Sequence, residues 1–287
     1  MMTKFSSRLL ATAVSVIAVA NVSSVFAQEQ SASPTQGPEQ ASSGGVADII
    51  VTAQKRAQNL NDVGLSITAA SADQLASAGV SNAGDLAKIT PGFTFTKSQD
   101  GTPLYTLRGV GFNDYTLGAS PAVSVYVDQV PLAYGAFTQG VSLDLERVEV
   151  LKGPQGILFG QNSTGGAINY IAAKPTQSLE AGVTASYGRF NTFDGEAFIS
   201  GPVSDTLAVR LAGAATISGP WQYNYNRDAS LGRQDQLRGR FQAEWKPTER
   251  LTMLFSANGW RDKSDTQAGQ LQGLFLQLNE ATAPFAA

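Results

Sequence analysis

From about residue 180 onward, apolar side chains recur at every second position, over stretches of about ten residues. Leu237, Gly239, Phe241, Ala243 and Trp245 alternate with Arg238, Arg240, Gln242 and Glu244. Leu251, Met253, Phe255, Ala257 and Gly259 alternate with Thr252, Leu254, Ser256 and Asn258. Leu207, Val209, Leu211, Gly213 and Ala215 form a third row. Weaker rows run through Val183, Ala185 and Tyr187, and through Phe193, Gly195, Ala197 and Ile199. A period of two places successive side chains on opposite faces of a strand. Strands in soluble domains are usually about five or six residues long, whereas about ten suits a tilted strand that crosses a membrane. The connections alternate as well. Residues 201–205 and 246–249 read as tight turns, and 219–235 as a long polar loop carrying Trp221, Tyr223 and Tyr225. Short turns on one side and long loops on the other belong to outer-membrane barrels. A soluble all-β sandwich is the competing reading.

The N-terminus favours the membrane. Lys4 and Arg8 precede an apolar run from Leu9 to Val22, with a small-residue exit at Val25, Phe26 and Ala27. These are the three regions of a secretory signal peptide, with cleavage expected after Ala27. As a membrane anchor the run is short, and Thr12, Ser15 and Asn21 interrupt it. Loss of residues 1–27 removes Lys4 and Arg8 and no acid, taking the net charge from −3 to −5. Such an acidic exported chain is no nucleic-acid binder. The chain has no Cys and no His, which excludes disulfides, thiolate catalysis and imidazole chemistry. No catalytic site and no cofactor are expected, and the reading is of a protein that is not an enzyme. The scattered Asp and Glu have no metal-ligand spacing.

Residues 28–47 are rich in Gln, Ser, Pro, Gly and Glu and read as a disordered linker. A short β-prone run follows, Asp48, Ile49, Ile50, Val51, Thr52 and Ala53, and then the polar Gln54, Lys55 and Arg56. It reads either as the first strand of the next domain or as a strand meant to pair with another protein's sheet. From about 57 to 175 the texture is mixed α and β. One short helix is signalled near Ser71, ending at Gly79. A second has Asn82 as its N-cap, Asp85 three residues later and Pro91–Gly92 as its stop. Strands are expected where Val123, Val125 and Val127 alternate with polar partners, and where Val148 and Val150 alternate with Arg147 and Glu149. The glycine-rich stretch 153–166 is no phosphate loop, because Gln161 follows Gly160 where Lys would be needed. Gly109 and Gly111 lack the third glycine of a dinucleotide fingerprint. Both read as turns. Asn162-Ser163-Thr164 is a chance glycosylation triplet.

Four runs in order carry a family resemblance. VEVLKGPQGILFGQNSTGGAINYIAAKP at 148–175 resembles the signature that closes the plug domain of TonB-dependent outer-membrane receptors. LRGVGF at 107–112 and VSVYVDQVPL at 123–132 are similar to two further plug motifs, and DIIVTAQKR at 48–56 to the TonB box of iron-siderophore-like members. The resemblance implies an α+β plug domain followed by the first antiparallel strands of a transmembrane β-barrel, embedded in outer-membrane lipid. It implies uptake of a scarce nutrient, a ferric siderophore or similar small-molecule or metal-chelate ligand. The partner is TonB with its proton-driven inner-membrane complex, bound by strand addition to Asp48, Ile49, Ile50, Val51, Thr52 and Ala53. Arg108 and Lys152 match basic positions that lock the plug to acidic residues of the barrel wall. Lys152 stands where the family usually has Arg, which removes a bidentate contact. Phe112, Asn113, Asp114, Tyr115 and Tyr134 fall in loops expected to face the ligand.

The expected domains are a signal peptide (1–27), a linker (28–47), the box (48–56), the plug (57–175) and about five barrel strands (176–287). At roughly 16 residues per strand, a 22-strand barrel needs on the order of 350 residues, where about 110 follow the plug. The chain is therefore expected to be a truncated or split receptor. A plug-type binding module, taking TonB or ligand without transport, is the alternative. The leader is too short for a signalling domain.

Overall fold

A computed structural model describes residues 49–266 except 53–54, 99–100, 113–119 and 226–227, together with the backbone course of 15–22. The first strand, β1 (Ser15–Val22), belongs to the wall described below. The plug follows, with β2 (Ile50–Val51), β3 (Gln58–Asn59), β4 (Ile67–Ser71) and α1 (Ala72–Ser77). Then come β5 (Phe93–Lys97), β6 (Pro103–Leu107), β7 (Val110–Gly111), β8 (Val123–Val127) and β9 (Val130–Leu132). It closes with β10 (Leu145–Lys152), α2 (Gly156–Phe159) and β11 (Gly166–Ala172).

Both helix starts fall where the caps place them. The Ser71 side chain accepts from the Gln74 N–H, and the Gln74 side chain accepts from the Ser71 N–H. Asn82 and Asp85 make the same reciprocal box. That second segment, 83–88, is a 3₁₀ helix, stopped within six residues by the turn at Pro91–Gly92. Two hairpins turn on pairs of left-handed residues, as tight two-residue connections require. They are Arg108–Gly109 (φ 51° and 79°), joining β6 to β7, and Asp128–Gln129 (φ 49° and 68°), joining β8 to β9.

The main plug sheet runs β4-β10-β11-β8-β9, with β11 parallel to β8 and all other pairs antiparallel. One face carries Val148, Val150, Ile168 and Tyr170, packed with Leu75, Leu86, Phe93 and Leu107. The other holds Leu151, Ala167, Tyr126 and Phe159 against Val51. Glu149, one of the polar alternates along β10, is 0% exposed. The alternation along β10 is real, but residues 49–52 cover its second face.

The wall consists of β12 (Glu180–Gly188), β13 (Thr192–Ser204), β14 (Leu207–Ile217), β17 (Asp235–Thr248) and β18 (Leu251–Asp262). A small hairpin, β15 (Gln222–Asn224) and β16 (Ala229–Leu231), fills the long loop. All wall neighbours are antiparallel in the order β1-β18-β17-β14-β13-β12. All five expected rows are strands. The expected turns at 201–205 and 246–249 lie mostly inside strands instead. Pro202 and Pro247 are accommodated at β-bulges, and the chain turns at 205–206 and 249–250.

The apolar rows face outward. Leu211, Leu237 and Val183 are 56, 53 and 81% exposed, while their neighbours Arg210 and Arg240 are 6 and 4% exposed beneath the plug. Apolar outside and polar inside reverses the order of a soluble sandwich and is that of a membrane strand wall. Along the edge of β18, β1 pairs from Ser15 opposite Asn258 to Val22 opposite Leu251. An open edge presents unpaired N–H and C=O groups, and an apolar strand satisfies them. The run read as signal sequence is thus an edge strand in the uncleaved chain. Its cleavage site and the linker lie outside the described residues. Among the described residues no helix is long and apolar enough to cross a membrane.

Candidate functional site

The box segment is docked against the plug. β2 pairs antiparallel with β3, Ile50 opposite Asn59 and Val51 opposite Gln58, and the Leu60 N–H donates to the Ile49 carbonyl at 2.9 Å. Val51 is 0% exposed, whereas Ile50 points outward. The Thr52 N–H donates to Glu149 Oε1 at 2.8 Å, and the Thr52 hydroxyl lies 3.2 and 3.3 Å from the two carboxylate oxygens. Arg147 Nε holds the same carboxylate at 2.8 Å. Next along the chain, the Lys55 ammonium sits 4.9 Å from the Phe159 ring centre and 5.4 Å from that of Tyr126. Of the two sequence readings of 48–53, the first strand of the plug is the one seen in this state. Asp48 and Ala53 lie outside the described residues.

Residues 142–144, just before β10, meet three successive wall strands. Arg210 on β14 grips the Asp144 carboxylate through two bonds, Nε to Oδ2 at 2.6 Å and Nη2 to Oδ1 at 2.5 Å, with both side chains buried. Such a fork on a carboxylate adds geometric specificity to charge. Arg210 also lies 4.0 Å from the Phe198 ring centre. Arg240 on β17 donates to the Leu143 and Asp144 carbonyls at 2.6 and 3.2 Å. From the same strand, Arg238 reaches the Ser142 hydroxyl at 3.1 Å. On β13, Glu196 accepts the Asp144 N–H at 2.9 Å. These residues weld plug to wall.

The expected lock residues are elsewhere. Arg108, in the hairpin turn, donates to Ser66 Oγ at 2.5 Å. Burial and the nearby Arg108 cation hold the Lys152 ammonium below its ordinary pKa. Neither residue has a carboxylate partner among the described residues. The ion pair that is present has the opposite polarity, with Asp144 on the plug and Arg210 on the wall. In the sequence, Arg238 and Arg240 stand only as the polar alternates of an apolar row. Three arginines on one inward face, with Asp144 four residues ahead of the VEVLKGP run, were the available signal.

Of the loop residues, Phe112 and Tyr134 are half exposed, and the Tyr134 ring meets Phe137 edge-on at 5.5 Å. Asn113, Asp114 and Tyr115 lie outside the described residues. A cavity of about 230 Å³ opens at the long-loop end of the wall, between Lys97 and Gln139 of the plug and Trp221, Arg233, Trp260 and Asp262. Neither Phe112 nor Tyr134 lines it.

Asp128 sits in the β8–β9 turn and accepts the Ala172 N–H at 2.9 Å. Burial raises its pKa despite that bond and the nearby Arg240 and Lys174. As pH rises past the ordinary carboxylate value, the unfolded chain ionises first, and the folded state loses stability until its own raised pKa is passed. Below both values the cost is absent. Asp128→Asn keeps an acceptor and suits the left-handed backbone. It should therefore unfold at equal or higher denaturant than the parent at neutral pH, with the difference gone near pH 3.

A plug held by the buried Asp144–Arg210 pair against an antiparallel wall, greasy outside and polar inside, has the architecture of a plugged barrel. Residues 59–167 match the family described as TonB-dependent Receptor Plug Domain. That segment matches a plug domain of this family, and the strands after it are similar in fold to part of the wall in solved receptors. The pesticin receptor of Yersinia pestis is 33% identical over 176 residues, 59% of this chain and 24% of that protein. The ferripyoverdine receptor of Pseudomonas aeruginosa is 27% identical over 184 residues, 63% of this chain and 22% of that protein. The crystal structure of the ferric yersiniabactin uptake receptor from Yersinia pestis aligns with a TM-score of 0.60 at 27% identity. It covers 68% of this chain and 31% of that one. The chain spans about a quarter of the length of the curated relatives it matches. The family is one of transport receptors.

Proposed function

We propose that the chain is the plug and first barrel strands of a Gram-negative outer-membrane receptor that imports a ferric siderophore under the drive of TonB. It performs no covalent catalysis. The observation that carries the reading is the combination of a plug of this family with a β-prone segment stored on it by a ladder of two residue pairs. The names of two similar proteins, the ferripyoverdine receptor and the ferric yersiniabactin uptake receptor, support iron uptake. The stored segment becomes an added strand in TonB's sheet, where main-chain hydrogen bonds supply the affinity. A second reading, a binding module without a pore, draws on one observation: the described wall strands form an open sheet. Radioiron uptake, present only for the transporter, separates the two.

The TonB step has its own test. Proline at Ile50 removes a donor and fixes φ, so Ile50→Pro should abolish binding to the TonB periplasmic domain in a titration. Ile50→Val keeps the backbone and should bind like the parent. If Ile50→Pro binds as well as the parent, strand addition is the wrong mechanism.

A further inference from the structure

We propose that Glu149 is the latch that keeps the box closed, and so sets how readily TonB can take it; this rests on the TonB reading above. The contacts that store the segment are unequal. The β2–β3 ladder has two residue pairs, and a ladder that short is weak by itself. Ile50 leaves its side chain in solvent. What remains is the packing of Ile49 and Val51, the Leu60 N–H bond to the Ile49 carbonyl, the Lys55 ammonium over Phe159 and Tyr126, and the bonds of Thr52 to one carboxylate, the only charged acceptor among them. That carboxylate is unusual in its setting. Glu149 lies in the middle of a central strand, 0% exposed, between Leu151 on its own face and the neighbouring strands β4 and β11.

A buried carboxylate carries a large desolvation cost unless its oxygens are hydrogen-bonded. Arg147 meets Oε1 from one side. The Thr52 N–H meets Oε1, and the Thr52 hydroxyl is within reach of both oxygens. The box thus completes the solvation of Glu149. While it is docked, the plug face is closed and the charge is satisfied; when it leaves, Glu149 is left with Arg147 and whatever water enters. A core strand built only for stability would place an apolar residue here, as it does at Val148, Val150 and Leu151. The acid therefore acts on the box and not on the plug core.

The consequence is a conformational tax on TonB. TonB needs the segment undocked, so its apparent affinity for the chain is that for a free box multiplied by the undocked fraction. Loss of a hydrogen bond to a charged group shifts such an equilibrium by on the order of tenfold. Glu149→Met keeps the volume and removes both acceptors. It should raise the affinity of the chain for the TonB periplasmic domain about tenfold. Glu149→Gln, which keeps one acceptor, should fall between that variant and the parent. Thr52→Val removes only the hydroxyl contacts, lies outside the plug core, and should give a rise of about threefold.

The experiment titrates the TonB periplasmic domain into each chain. Peptides of residues 48–56, parent and Thr52→Val, run alongside, and exchange of the Thr52 amide is followed without TonB. The expected result is tight, equal binding by both peptides and the affinity order Glu149→Met, Glu149→Gln, parent, with Thr52→Val above the parent. Thr52 amide protection should fall in the same order. If the peptides bind but all chains bind like the parent, the latch is wrong and the TonB reading stands. If the peptides do not bind, the TonB reading fails, and the latch as a control on TonB fails with it. Should Glu149→Met not fold, an unchanged affinity in Thr52→Val would overturn the latch by itself.

Discussion

Asp144→Ala should cost about 3–5 kcal/mol at the plug–wall junction, one of the largest losses available to a single side chain in this structure. Asp144 is buried, gripped by both donors of the Arg210 fork, and backed by Arg240 and Arg238 on the adjacent strand. Removing it leaves Arg210 buried without its partner, and an uncompensated buried cation is far worse than the loss of an attraction. The matched double variant Asp144→Leu with Arg210→Met should recover most of the loss, because two apolar side chains of similar volume need no partner. The readouts are denaturant unfolding of the chain in detergent and the rate at which protease cuts the plug free. An Asp144→Ala loss below about 1 kcal/mol, the value of an exposed pair, would mean that the charges stay hydrated and that the weld is cosmetic.

Gly166→Ala is expected to unfold the plug outright. Gly166 opens β11 at φ 145°, a backbone conformation that L side chains rarely adopt. A Cβ there would lie inside van der Waals contact with the Leu151 carbonyl and 2.8 Å from Leu107 Cδ1, in the centre of the core. Steric overlap and backbone strain coincide, and such cases make up the tail of point mutations that cost more than about 4 kcal/mol. By contrast Gly156, with nothing near its Cβ position, should accept Ala with little change. Thermal unfolding of the two variants side by side separates a specific steric demand from general glycine loss.

How much of this was legible in the sequence depends on the kind of physics involved. The wall strands were readable because a period of two over about ten residues is a backbone signal that tertiary contacts do not override. Even the facing of Leu211 against Arg210 followed once the greasy face was assigned to lipid. The helix starts at Ser71 and Asn82 were readable because capping is local. The turns at 205–206 and 249–250 were misplaced because Pro202 and Pro247 normally end strands, and only the bulged registers of the neighbouring strands tolerate them. The Asp144 weld was missed because its partners are 66 and 96 residues away, a separation to which sequence pattern is blind. The burial of Glu149 was not legible for a similar reason. Its cover comes from Thr52, 97 residues earlier. Arg108 and Lys152 were singled out by motif, and neither has a carboxylate partner among the described residues.

Residues 180–262 form a wall whose outward apolar face suits lipid and whose inward face meets the plug. The chain has no native Cys, so single cysteines can be placed at will. Spin labels at positions 211 and 237, on the outward rows, and at 225, at the tip of the long loop, test the claim in outer-membrane vesicles. Labels at 211 and 237 should be relaxed by oxygen, which concentrates in lipid, and shielded from a water-soluble nickel chelate, while the label at 225 should show the reverse. If the nickel chelate reaches 211 and 237 as readily as 225, the outward face is in water, and the chain is not a membrane wall.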